Sequence, residues 1–246
     1  MKHLLLCLCA CACIATSCTT QHIGQATASD NAGSDTTIVQ SLFNDRSSNI
    51  SEENIQKILD GSYRLPGRIR IAIVRLESPR QQRYLWDDEN YMKNQESYLD
   101  SLTVRLKSSP RVIAVETIPD IMISKSPTFT TLREAAVRMQ CDMVLVYSMK
   151  GDIYSRYKFF ASPDIKAFAT TQVLFMDVRT GLIPFSTTVT RDYLSRKSKE
   201  DMDNSQAQDR VLNGAGLATV RDAGQRIADF LAARQGEVAG VTSAGH

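Results

Sequence analysis

Seven residues, Met143-Val-Leu-Val-Tyr-Ser-Met149, constrain the fold of this chain more than any other stretch. A nearly continuous apolar run of this length suits a strand covered on both faces, and therefore a place in the middle of a sheet. Arg68-Ile-Arg-Ile-Ala-Ile-Val-Arg-Leu76 alternates and is β-branched, which predicts a strand with one well-buried face. Val112-Ile-Ala-Val-Glu-Thr-Ile118 predicts another, closed by Pro119. Between these two, Met92, Gln95, Leu99, Leu102 and Leu106 recur at helical spacing with Tyr98 beside them, up to Pro110.

Thr131-Leu-Arg-Glu134 has the form of a capping box, and Leu132, Ala135, Ala136 and Met139 give the helix after it one apolar face. Lys166 to Val178 alternates over a long stretch, and Arg179-Thr180-Gly181 turns it back into Leu182 to Tyr193. Pro184 near the start of the return strand points to a sheet edge, because proline lacks a ladder donor. A last helix, about 201–234, carries Leu217, Val220, Gly224, Ile227 and Leu231 on one side. Its Gly214, Gly216 and Gly224 each weaken it by up to about 1 kcal/mol relative to Ala, a cost that close packing on the sheet would explain. The expected fold is a single α/β sandwich of three or two layers with a mixed sheet, in the order β-α-β-α-β-β-β-α over residues 66–234. Residues 235–246 are expected to form a frayed tail.

The start of the chain has a different character. Lys2 leads into an apolar run from Leu4 to Ala15, then Ala15-Thr16-Ser17-Cys18. The run is shorter than the roughly 20 apolar residues that span a bilayer, and it has the form of a secretory signal. Small residues ahead of a cysteine fit cleavage between Ser17 and Cys18 and lipid attachment to Cys18, so residues 1–17 are the expected signal peptide. Cys13, after Ala10-Cys11-Ala12, is the rival position but leaves only a stub of apolar run. An uncleaved anchor or a simple secretory signal are the alternatives. Cys7, Cys9, Cys11 and Cys13 would leave with the signal, and Cys141 would remain with a lipid-blocked Cys18, so no internal disulfide is expected. Each buried methylene contributes about 0.8 kcal/mol, so a diacylated cysteine of the palmitate type holds to a membrane firmly. Thr19 rather than Asp follows Cys18, which by the sorting habit of Gram-negative lipoproteins points to the outer membrane, facing the periplasm.

Residues 18–50 are polar and aperiodic, as in a flexible tether with an r.m.s. span of roughly 30 Å. Residues 51–65 form a linker in which Ser51 could cap a short helix carrying Ile55, Ile58 and Leu59 and ending at Gly61.

The three histidines are His3, His22 and His246, so the body between them has none. Serine and cysteine nucleophiles therefore lack their usual base, and common zinc sites lose their main nitrogen ligand. Neither a phosphate-binding glycine loop nor a dinucleotide fingerprint occurs, so no cofactor and no metal is expected. Asp87-Asp88-Glu89 could attract a cation, but carboxylates ahead of a helix also favour the positive end of its dipole. With 29 basic and 27 acidic residues, nothing points to nucleic acid. Tyr154, Arg156, Tyr157 and Lys158, expected in a loop between strands, together with Tyr84 and Trp86, form the candidate interaction patch.

Cys141-Asp-Met-Val-Leu-Val-Tyr-Ser-Met and Thr171-Gln-Val-Leu-Phe-Met-Asp-Val-Arg-Thr-Gly-Leu-Ile-Pro-Phe-Ser, taken in order behind the N-terminal signal, resemble the periplasmic α/β domain of the curli-secretion-channel-type and rhombotarget lipoproteins. The resemblance covers about residues 66–234. It implies a lipid-anchored envelope domain that contacts other proteins or itself, in some relatives as a ring. A curli-type channel also inserts long hairpins to build a barrel, and Asp152 to Lys166 is too short for two membrane strands of about 9–11 residues each. The expectation is thus a non-catalytic lipoprotein, anchored to the membrane, acting as an assembly module with an envelope protein or as a homo-oligomer. A small-ligand or glycan binder using Trp86 is the alternative, followed by a carboxylate-dependent hydrolase for which no acidic pair stands out.

Overall fold

The computed structural model describes residues 42, 43, 45, 49–76, 89–123, 127–156 and 164–242. In chain order these form α1 (Glu52–Asp60), β1 (Ile69–Arg75), α2 (Glu89–Lys107), β2 (Val112–Thr117), a 3-10 turn (Asp120–Met122), α3 (Phe129–Arg138), β3 (Met143–Arg156), β4 (Asp164–Asp177), β5 (Phe185–Arg196) and α4 (Asn204–Thr242). After α1, the order of strands and α-helices is the one the periodicity predicts. The sheet runs β2-β1-β3-β4-β5. β1 is parallel to β2 and β3, where α2 and α3 provide the crossovers, while β3, β4 and β5 form an antiparallel meander. The sheet is therefore mixed and open rather than a barrel, with β3 in its middle and β5 at an edge.

One face of the sheet carries Ile69, Ile71, Ile73, Met143, Leu145, Val173 and Phe175, packed under Tyr98, Leu102 and Leu106 of α2 and Val220, Ala223, Ile227 and Leu231 of α4. The other face carries Ala72, Val74, Val144, Val146 and Met176 against Leu132, Ala135 and Ala136 of α3. A third cluster joins Ile165, Ala167 and Ala169 of β4 to Ala207, Val211 and Ala215 at the start of α4. Each fully buried Val, Leu or Ile side chain in these clusters contributes about 1.5–3 kcal/mol. The layering thus takes both expected forms. It is three layers deep where α3 covers β1 and β3, and two layers deep over the outer halves of β3, β4 and β5.

Several local expectations change. β1 is buried on both faces, since Ala72 and Val74 meet α3 while the isoleucines meet α2 and α4; an inner parallel strand has no solvent side. β3 continues to Arg156 and β4 begins at Asp164, so Tyr154 and Arg156 lie on a strand and not in a loop. Fourteen consecutive register pairs, from Met143↔Asp177 to Arg156↔Asp164, overcome the polar interruption at Lys150-Gly-Asp152. The cap of α3 is Thr128 rather than Thr131. Its hydroxyl accepts from the Thr131 N–H at 3.2 Å while its own N–H donates to Thr131 Oγ1 at 2.8 Å. Glu134 is left to pair with Arg138 at 2.6 Å. On α2, Tyr98 is at the centre of the buried face and Met92 is exposed. α4 continues as helix to Thr242, beyond its expected end.

The α4 glycines face more than the sheet. Gly224 lies against Arg105 and Leu102 of α2, and a Cβ at Gly216 would stand 2.6 Å from Tyr98 Oη and 3.0 Å from Met149 Sδ. Only Gly214 meets a strand side chain alone, Tyr193 of β5.

The residues before the body also make contacts. Leu42 packs against the α3-side core and its carbonyl accepts the Phe129 N–H at 2.7 Å, and Phe43 stacks on Phe129 with centroids 5.0 Å apart. These two residues fasten the chain at this point to the start of α3.

Candidate functional site

The motifs that carry the family resemblance turn out to be structural fasteners. The buried Asp177 carboxylate accepts from the Thr180 N–H at 2.7 Å and its hydroxyl at 2.9 Å through Oδ1, and from the Tyr63 hydroxyl at 3.0 Å through Oδ2. The Gly181 N–H donates to the Asp177 carbonyl, and Gly181 adopts φ +74°, which a side chain would oppose. Asp142 accepts the Arg70 N–H at 3.0 Å and donates its own N–H to the Arg70 carbonyl at 2.8 Å, locking β1 to β3. Cys141 is buried beside it, and burial pushes its thiol up, away from the reactive thiolate.

A site with unspent polar groups lies on the face covered by α2 and α4, between α2 and the first half of α4. There a cavity of about 180 Å³ is lined by Arg75 from the end of β1, by Asn90, Tyr91, Asn94, Gln95 and Tyr98 from α2, and by Asp209, Leu212 and Asn213 from α4. Met149, Gly151 and Ala169 of β3 and β4 provide the sheet side. The sequence places them by simple rules: Asn94 lies beside the apolar stripe of α2 and Gln95 within it, and Gly151 leaves room for Leu212 to lie on the sheet. Arg75 donates to Tyr91 Oη and its guanidinium lies 5.3 Å from the centre of that ring, a cation–π contact. Burial raises the Tyr98 hydroxyl above the ordinary phenol range, so it remains a neutral donor.

Three of the four amides in the lining behave differently. Among the described residues, the side chains of Asn94, Gln95 and Asn213 make no hydrogen bond, and Gln95 Oε1 and Asn213 Oδ1 are fully buried without a partner. Each primary amide offers two donors and an acceptor with two lone pairs. Chemically the cavity can bind and orient a polar molecule. Among the described residues of the lining, Asp209 is joined by no second acidic side chain.

The sequence-predicted patch is only partly described. Tyr84, Trp86, Tyr157 and Lys158 lie outside the described residues, as do Ser17, Cys18, Asp87 and Asp88, and of Arg156 only the backbone is described. Tyr154 is exposed on β3, stacked on Phe168 of β4 with centroids 5.8 Å apart. Sequence reasoning missed the amide cavity because Asn90, Asn94 and Asn213 have the look of solvated helix positions. The one signal available was Gln95, a polar residue within an apolar stripe.

A second surface feature is α1. Its nine residues include none that is buried, and Ile55, Ile58 and Leu59 are all exposed, Leu59 at 72%.

No protein-family model matches the chain, and no curated protein matches it. Among solved structures it is similar to a minor lipoprotein from Acinetobacter baumannii, with 11% identity and a TM-score of 0.33 over 68% of this chain and 92% of that one. It is also similar to the PelC dodecamer from Paraburkholderia phytofirmans, with 12% identity and a TM-score of 0.35 over 65% and 85%. A hypothetical protein from Chlamydia trachomatis gives 13% identity and a TM-score of 0.39 over 68% and 99%. At such identities and TM-scores none of them defines a family for this chain, and the curli-type and rhombotarget resemblance rests on the sequence motifs alone.

Proposed function

We propose that this chain is a bacterial envelope lipoprotein, held at the outer membrane through Cys18, whose α/β body is a non-catalytic module for contact with another envelope protein. The signal-like Met1–Cys18 stretch supports the anchor, and α1 carries the contact. Isolated helices shorter than about 12–15 residues are marginal in water, so a nine-residue helix with no buried side chain needs cover from elsewhere. Its apolar stripe of Ile55, Ile58 and Leu59 is the pattern of a helix that lies in an apolar groove. Glu52, Glu53 and Asp60 outnumber Lys57 on the rest of the helix. That excess of negative charge disfavours an anionic lipid surface and suits a protein groove with a basic rim.

The test is photo-crosslinking from position 59 in native envelopes with Cys18 intact. One discrete adduct with another protein is expected, and Ile55→Asp with Ile58→Asp should abolish it. An adduct at twice the mass of the chain would replace the partner with a second copy. Adducts to lipid alone, or an adduct indifferent to the double substitution, would refute the reading. For the anchor, Cys18→Ala should leave a soluble or uncleaved form. A variant that still fractionates with membranes in processed form would sink the assignment.

A further inference from the structure

The cavity between α2 and α4 has three features that bear on what it can hold. Asn94, Gln95 and Asn213 line one space with amides that bond no protein group, and the side-chain oxygens of Gln95 and Asn213 are buried, a costly state for a polar atom without a partner. The opposite side is apolar: Met149, Ala169 and Leu212 surround Gly151. The volume, about 180 Å³, exceeds the roughly 150 Å³ that admits a benzene ring, which suits one six-membered ring.

These features define a ligand by its chemistry. Amides that both donate and accept match hydroxyl groups, which also do both. Arg75 and Asp209 bring one charge of each sign to the lining, so a ligand with net charge gains no matching counter-charge in excess. An apolar floor beneath polar walls suits a ring with C–H groups on its face and hydroxyls around its rim. We propose that this cavity binds a single pyranose ring, with Asn94, Gln95 and Asn213 reading its hydroxyls and the Met149–Leu212 floor receiving its C–H face. The site is separate from α1, so its failure would leave the proposed protein contact untouched.

The experiment uses the full chain in lauryldimethylamine oxide, a detergent without a sugar headgroup. Saturation-transfer NMR is run with methyl β-glucopyranoside, methyl β-galactopyranoside and methyl N-acetyl-β-glucosaminide, with glycine and alanine as zwitterionic controls. At least one glycoside should bind saturably in the millimolar range or tighter. Asn213→Leu and Gln95→Met should each weaken it about tenfold or more, the equivalent of one lost hydrogen bond to the ring.

Thermal unfolding of the same ligand-free variants supplies the second measurement. Both should melt at or above the wild-type temperature, because each removes an orphaned polar atom whose only use is the ligand. Lower melting temperatures would mean that the amides hold structural water and serve the fold, which overturns the proposal. So would binding of glycine or alanine in preference to every glycoside, no saturable binding of any glycoside, or glycoside binding that survives both substitutions.

Discussion

Two polar sites on this body are built to opposite rules. At the β4–β5 turn every contact of Asp177 is answered: Thr180 and Tyr63 use both carboxylate oxygens, and the Gly181 N–H uses the carbonyl. In the α2–α4 cavity, Asn94, Gln95 and Asn213 are answered by no protein group among the described residues. A satisfied network of this kind specifies a unique turn, whereas an unsatisfied one costs stability and earns its place only through what it binds. The contrast teaches which substitutions should damage the fold and which should improve it.

The largest effect belongs to the satisfied site. Asp177→Ala removes the carboxylate that accepts from the Tyr63 hydroxyl and from the N–H and hydroxyl of Thr180, and urea denaturation should show a loss of about 3 kcal/mol. Gly216→Ala probes the helix contact beside the cavity. The added methyl meets Tyr98 Oη and Met149 Sδ inside normal contact distance, and a loss of about 2 kcal/mol is expected from overpacking. An unchanged stability there would mean that α2 and α4 are looser than their contacts imply.

A third site sharpens the comparison through pH. Arg210 donates to both oxygens of Asp201 at 2.9 and 3.0 Å, and the Ser198 N–H donates at 2.6 Å, holding the carboxyl down at about 2. The folded value lies below the unfolded one, so the stabilisation is present above about pH 4 and is lost as pH falls toward 2. The wild-type melting temperature should fall through that window, and Asp201→Asn should flatten that part of the profile while lowering the neutral plateau. A slope unchanged in Asp201→Asn would assign the acid sensitivity elsewhere.

The effects then change sign. Gln95→Met should stabilise the ligand-free body by up to about 1 kcal/mol by removing a buried unpaired oxygen, the reverse of Asp177→Ala. Least of all, Thr190→Ala removes the exposed Thr170–Thr190 hydroxyl contact of 2.8 Å and should stay within about 0.5 kcal/mol. A large loss there would show that exposed polar pairs on this sheet carry more stability than the buried turn comparison allows.

Much of the fold was legible because strand and helix periodicities are local. The run Met143–Met149 identified the central strand, and Pro184 pointed to the edge that β5 occupies. The less legible parts depended on partners distant in sequence. β3 outlasts its apolar run because β4 pairs with it as far as Arg156, and β1 needs two buried faces because α3 lies opposite α2. The cap of α3 shifted by one turn because Thr128 and Thr131 are equally plausible by type, and the buried Phe129 belongs inside the helix.

The candidate site was less legible than the fold. Asn94 and Gln95 interrupt or flank a helix stripe, and Asn213 precedes a glycine in another helix, so each alone has an ordinary explanation. The sequence by itself determined the order of elements, the absence of histidine from the body and the signal-like start, since all three are properties of neighbouring residues. Only the tertiary structure decided that amides from two helices share a cavity, that Asp177 is bonded through both carboxylate oxygens, and that no side chain of α1 is buried. Hydrogen-bond satisfaction and burial belong to the folded arrangement of distant segments, and no local pattern encodes them.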